Sequence, residues 1–206
     1  MLNQFNALLF LPIILLISCS NRSSDKTSDN RRDTIDTLSH QTQKQKAKEF
    51  ETPSVNDSMA VQIGEYLTNK FLSKADLNVL PVDERKFQLW QIDLNSDGRN
   101  EIFVRFITRY FCGSGGCTIL LLTHDLRKIT TFTVMEPPIF AEKEIKNGYK
   151  TLRVFSEGEW RELIFQKGSY PSNPSVAKIT KLLPGGSAEV IFDDKNEFFE
   201  SKTYTF

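Results

Sequence analysis

The chain has 206 residues, with 26 basic and 26 acidic side chains, so its formal net charge is zero. That balance argues against a nucleic-acid binder, which needs a basic footprint to displace condensed counterions. Most of the 16 phenylalanines lie from Phe71 onward and imply a hydrophobic core in the C-terminal part of the chain.

An apolar run from Ala7 to Ile17 opens the sequence and ends in Leu16-Ile17-Ser18-Cys19. The run is too short to span a bilayer comfortably. With small residues and a cysteine at its end, it reads as a lipoprotein signal: residues 1–18 are removed and Cys19 is lipidated. The competing reading is an ordinary secretory signal or anchor helix, because residues 1–6 carry no Lys or Arg. Two or more acyl chains on Cys19 would anchor the chain stably to a membrane. Ser20 follows the cysteine, and by resemblance to lipoprotein sorting in enterobacteria this favours the outer membrane. The expected address is the bacterial cell envelope.

Residues 19–52 are rich in Ser, Thr, Asp, Asn, Lys, Arg and Gln. Such a segment cannot bury enough apolar surface to offset its ordering entropy, so it is expected to be a disordered tether. A single globular domain should occupy residues 53–206. It opens with Ser54 and Asp57 as a capping-box-like pair, followed by Ala60, Ile63, Leu67 and Phe71 at helical spacing, which predicts an amphipathic helix ending near Ala75.

After Pro81 the pattern turns to strands, expected at 86–92, 102–110, 118–123, 128–135, 139–145, 149–155, 160–166, 188–192 and 198–206. Asn147-Gly148 is the best hairpin signal in the chain. The expected fold class is α+β, with an N-terminal amphipathic helix packed on a mostly antiparallel, hairpin-connected β-sheet.

Asp93-Leu94-Asn95-Ser96-Asp97-Gly98-Arg99-Asn100-Glu101 places oxygen side chains at relative positions 1, 3, 5 and 9, with glycine at position 6. Ca²⁺ takes six to eight oxygens, and a tightly wound loop can turn alternate residues inward. Asp93, Asn95, Asp97, Glu101 and the carbonyl of Arg99 are the candidate ligands of a structural calcium ion. Position 12 is Val104 rather than Glu, so this is not a complete EF-hand. The arrangement resembles the calcium loops of integrin-type propeller repeats. The competing reading is an Asx-rich turn without metal.

Cys112-Gly113-Ser114-Gly115-Gly116-Cys117 follows. With Cys19 lipidated, Cys112 and Cys117 remain as an even pair that should oxidise outside the cytoplasm. The loop reads as a stapled hairpin. Tyr110, Phe111, Gly113, Ser114, Gly115 and Gly116 are also a candidate ligand loop, since glycine-rich backbone exposes N–H groups. The succession DLNSDGRNEIFV, YFCGSGGCTILLL, EPPIF, WRELI and YPSNPS resembles an uncharacterised family of secreted or lipid-anchored bacterial proteins. The resemblance covers residues 87–175. It implies that the two loops belong to one fold, and it brings no activity with it.

Two enzymatic readings can be drawn. Ser114, His124 and Asp125 could be imagined as a triad, and Glu157, Glu159 and Glu162 as paired carboxylates. Nothing in the sequence places the triad together, and the competing reading of the three glutamates is a solvated hairpin face. The expectation is therefore a non-enzymatic binding domain with a protein or glycan ligand. An inhibitor of a cell-wall hydrolase and a hydrolase with an unidentified site are the alternatives.

Overall fold

The computed structural model describes residues 52–196 and 201–206. The signal at 1–18, Cys19 and the tether up to residue 51 lie outside the described residues.

Helix α1 runs Asp57–Tyr66 and buries Met59, Ala60 and Ile63. Its cap is Asn56, whose side chain accepts from the Met59 backbone N–H at 2.9 Å. Asn caps as well as Ser does, and here it stands at the last extended residue before the helix. Ser54 is buried, and Asp57 instead accepts from Lys202 Nζ and the Tyr204 hydroxyl. The helical path widens into a π turn over Leu67–Phe71 and then stops. Helix α2, Lys74–Val79, starts afresh with a full capping box, Ser73 with Asp76. A strong cap at Ser73 thus divides what the periodicity alone reads as one helix.

The strands are β1 Lys86–Ile92, β2 Glu101–Phe106, β3 Cys112–Gly113, β4 Gly116–Leu122, β5 Lys128–Met135, β6 Ile139–Lys146, β7 Tyr149–Ser156, β8 Glu159–Leu163, β9 Lys178–Ile179, β10 Glu189–Ile191 and β11 Thr203–Thr205. They form two sheets rather than the single sheet expected. In the first, β11 pairs with β1 and β1 with β2, while β4 has β2 and β3 on one edge and β5 on the other. The second has the order β10-β6-β7-β8-β9. Every pairing between these strands is antiparallel. The chain changes sheets at Pro137-Pro138, where two successive residues have no N–H to give to a ladder. The fold is α+β, with antiparallel sheets and few helices.

The first sheet is covered on both faces. Phe87, Leu89, Ile102, Val104, Phe106, Leu120 and Leu122 pack with Met59, Ile63 and Leu67 on the helical side. The intervening Trp90, Ile92, Phe103, Ile119 and Leu121 face the second sheet and meet Ile139, Ala141, Leu152, Val154 and Leu163. Residues of alternate parity go to opposite faces, which is why Ile102-Phe103-Val104 and Ile119-Leu120-Leu121-Leu122 are unbroken apolar runs. The order is helix, sheet, sheet.

Candidate functional site: a cleft beside the disulfide hairpin

The Asp-rich loop joins β1 to β2 and is wound tightly by its own side chains. Asp93 accepts from the backbone N–H groups of Ser96 at 2.7 Å and Gly98 at 2.9 Å. Asn95 accepts from Asp97 N–H at 2.9 Å, and Asp97 from Arg99 N–H at 2.8 Å. Gly98 has φ +80, a conformation that suits glycine. Glu101 turns back under the loop, 3% exposed, and accepts from Leu94 N–H at 2.8 Å and Asn95 Nδ2 at 3.1 Å.

Two carboxylates of this loop are shifted in opposite senses. Burial raises the Asp93 pKa, but the N–H groups of Gly98, Ser96, Asn95 and Asp97 outweigh it and hold the group below the usual carboxylate range. For Glu101 burial wins: against the Leu94 N–H, it raises the pKa with help from the nearby charges of Asp97 and Asp93. The oxygens of Asp93 and Asn95 are turned to backbone donors, and those of Asp97 to the Arg99 N–H and the Asn95 side-chain amide. No three His, Cys, Asp or Glu side chains among the described residues are grouped so as to hold a metal ion.

Cys112 and Cys117 are joined by a disulfide that closes the β3–β4 hairpin. The glycines of this loop have different jobs. Gly116 has φ +118, and a Cβ there would lie 2.6 Å from the Met135 backbone carbon and oxygen. It is required where the hairpin crosses β5. Gly113 has nothing within 4 Å of an added Cβ and carries no such constraint.

The rest of the candidate ligand loop divides between two sides. Phe111 stacks on Phe106 at 4.1 Å, on the helical side of the first sheet. The Tyr110 hydroxyl donates to Asp76 of α2 at 2.6 Å. Ser114 and Gly115 turn the other way and line a cleft of about 280 Å³. Its other walls are Val134 and Glu136 at the end of β5, Phe155, Ser156 and Glu157 at the β7–β8 turn, and Asn173 and Ser175.

Four stretches remote in sequence meet in this cleft. Three of them belong to segments already quoted for their motifs: CGSGGC, EPPIF and YPSNPS. The contributions of Val134, Phe155, Asn173 and Ser175 were missed, because only the packing of the two sheets brings them together. The cleft has an aromatic ring, three serine hydroxyls and two carboxylates, and no Lys, Arg or His on its walls. Neither Glu136 nor Glu157 makes an ion pair or hydrogen bond among the described residues. Val134 has φ +49, a strained value for a β-branched residue.

The imagined triad is not assembled. Ser114 precedes β4 and His124 follows it, so they stand at opposite ends of a seven-residue strand, roughly 20 Å long. Asp125 pairs with Arg99. Of the three glutamates, Glu162 is buried and bound to Lys146 at 2.9 Å and Lys178 at 3.4 Å, which hold its pKa low. Glu159 points to the opposite face of β8, and only Glu157 reaches the cleft. No family model, curated protein or solved structure matches the chain.

Proposed function

We propose that this protein is a lipid-anchored, non-enzymatic binding module of the bacterial envelope, and that it takes its ligand in the cleft between the disulfide hairpin and the β7–β8 turn. The observation that carries this is the convergence of four distant segments on one concave polar site with two unpaired carboxylates. Sites of this kind commonly pair an apolar wall with a few directed polar groups. Phe155, 51% exposed, supplies a ring on which a sugar face can stack. Ser114, Ser156 and Ser175 supply hydroxyls. Glu136 and Glu157 disfavour an anion, which weighs against the glycine-rich loop as a phosphate nest. A neutral or amine-bearing glycan fits these walls best.

The test is an NMR titration of the protein with chitotetraose and with soluble peptidoglycan fragments. Amide shifts confined to Ser114, Gly115, Phe155 to Glu157 and Ser175, abolished in Glu157→Ala, would support the reading. Saturating additions that move none of these amides would refute a glycan ligand. The hydrolase-inhibitor reading has one supporting feature, an exposed Gly113-Ser114-Gly115 tip held by a disulfide. In that case a lysozyme-inhibition assay would respond to Ser114→Trp.

The same proposal includes a structural calcium ion on Asp93, Asn95, Asp97, Glu101 and the Arg99 carbonyl. What supports it is the alternation of acidic and amide side chains along the loop and the buried Glu101 carboxylate, whose charge a divalent cation would offset. Binding requires Asp93, Asn95 and Asp97 to share or exchange their present hydrogen-bond donors for the ion. A melting temperature that rises in millimolar Ca²⁺ but not Mg²⁺, with no rise in Asp97→Ala, is the expected result.

A further inference from the structure

The segment crossing the outside of the second sheet has a composition and exposure that the cleft does not use. From Leu163 to Ala188 the chain contains three lysines, Lys167, Lys178 and Lys181, and no Asp or Glu. Within it, Val176 is 78% exposed, Ile179 53%, Leu182 62% and Leu183 68%. These side chains are held outward because the backbone is tied inward. Thr180 N–H donates to the Trp160 carbonyl at 2.9 Å. Arg153 donates to the Leu183 carbonyl, and Gly185 N–H donates to Glu142 at 3.0 Å. The two carboxylates beneath are already neutralised: Glu142 by Arg153 at 3.2 Å, and Glu162 by Lys146 at 2.9 Å. Both glutamates are buried, and Glu162 also pairs with Lys178 at 3.4 Å, so among the described residues the lysine charge left free to face outward is that of Lys167 and Lys181. Beside the segment, Lys167 and Lys178 stand with Ser169 and Tyr170 around a recess of about 460 Å³ that also touches Glu162.

We infer that residues 176–183, with Lys167, form a face that lies against an anionic phospholipid surface. Exposed aliphatic side chains interleaved with lysines match a bilayer interface, where the aliphatics enter the acyl boundary and the ammonium groups meet phosphates. They match a protein partner poorly, because protein interfaces are depleted in Lys and enriched in aromatic residues and Arg. With the lipid anchor proposed above, on which this point rests, such a face needs little added affinity to settle, since the local concentration of lipid is high.

The test uses the whole chain with a reporter tryptophan, Leu183→Trp, and a control, Val61→Trp, which lies on α1 and is equally exposed in the parent protein. Each is mixed with vesicles of brominated phosphatidylcholine, with and without phosphatidylglycerol. The expected result is quenching of the reporter in anionic vesicles only, beyond that of the parent protein with its own Trp90 and Trp160, and no such added quenching in the control. Partitioning should fall by about 30-fold or more in Lys167→Glu/Lys181→Glu and decline with added salt. Equal quenching at the two positions, or no response to charge reversal, would overturn the inference. So would a lipid-independent blue shift of the reporter that grows with protein concentration, which would mark the face as a self-association surface.

Discussion

Replacing Gly116 and Gly113 by alanine, one at a time, tests how the disulfide hairpin is held. Gly116→Ala faces two penalties. Its φ of +118 is a region that L side chains rarely adopt. Its new Cβ would lie 2.6 Å from the Met135 carbonyl carbon and oxygen and 2.9 Å from the Met135 nitrogen, and Met135 is fully buried. The obstacle is backbone in a paired strand, so relief requires β5 to move. Backbone strain costs about 1–3 kcal/mol, and overpacking costs about 1–3 kcal/mol more. A loss of about 3 kcal/mol or more is expected, which in a domain of this size lowers Tm by roughly 6–12 °C. Gly113→Ala meets no atom within 4 Å and no positive φ. It should be neutral or stabilising by up to about 1 kcal/mol through the unfolded state. Thermal and urea melts of both variants, with the disulfide intact, provide the comparison. If Gly116→Ala melts within about 1 °C of Gly113→Ala, the packing argument fails.

Glu101→Gln should affect stability in a pH-dependent way. Burial raises the folded pKa of Glu101 above its ordinary value of 4.5, so the ionised group costs stability at neutral pH. That cost disappears as pH falls through the raised folded value. The advantage of Glu101→Gln in metal-free buffer should therefore be largest near neutral pH and shrink on acidification; an advantage independent of pH would refute this. Asp93 has the opposite sign: its stabilisation is present above 3.8 and is lost as pH falls through its lowered folded pKa, so Asp93→Asn should destabilise at pH 7 and progressively less as pH falls below 3.8. Glu142→Gln should cost about 3 kcal/mol by leaving the Arg153 guanidinium unpaired under the 180–185 segment, whereas Glu142→Leu/Arg153→Met should cost less than either single change. A double-mutant melt series checks this. Tyr170→Phe should cost about 1–2 kcal/mol, because the buried hydroxyl donates to the Lys150 carbonyl at 2.6 Å and its loss orphans that oxygen; a neutral result would mean that water replaces the hydroxyl.

Much of the local structure is written in short stretches of this sequence. Lys86–Ile92 and Lys128–Met135 are strands at the bounds their β-branched and aromatic content predicts. Asn147-Gly148 makes the β6–β7 hairpin, with both residues at positive φ as a tight turn of that type demands. The Cys112–Cys117 pairing follows from the short spacing within one hairpin. These features depend on interactions between near neighbours, which periodicity and turn chemistry report directly.

Other features depend on what lies across the fold, and only the tertiary structure decided them. Two sheets rather than one follow from which side of Pro137-Pro138 each hairpin packs, a choice made by the burial of both faces of β2 and β4. Gly113 and Gly116 look alike in sequence, yet only Gly116 lies against another strand. Ser114 and His124 are ten residues apart but are separated by the length of β4, whereas Ser114 and Ser175, far apart in the chain, share a cleft. Adjacency along the chain is governed by backbone geometry. Adjacency across it is governed by the packing of buried faces, and the site was assembled by the latter.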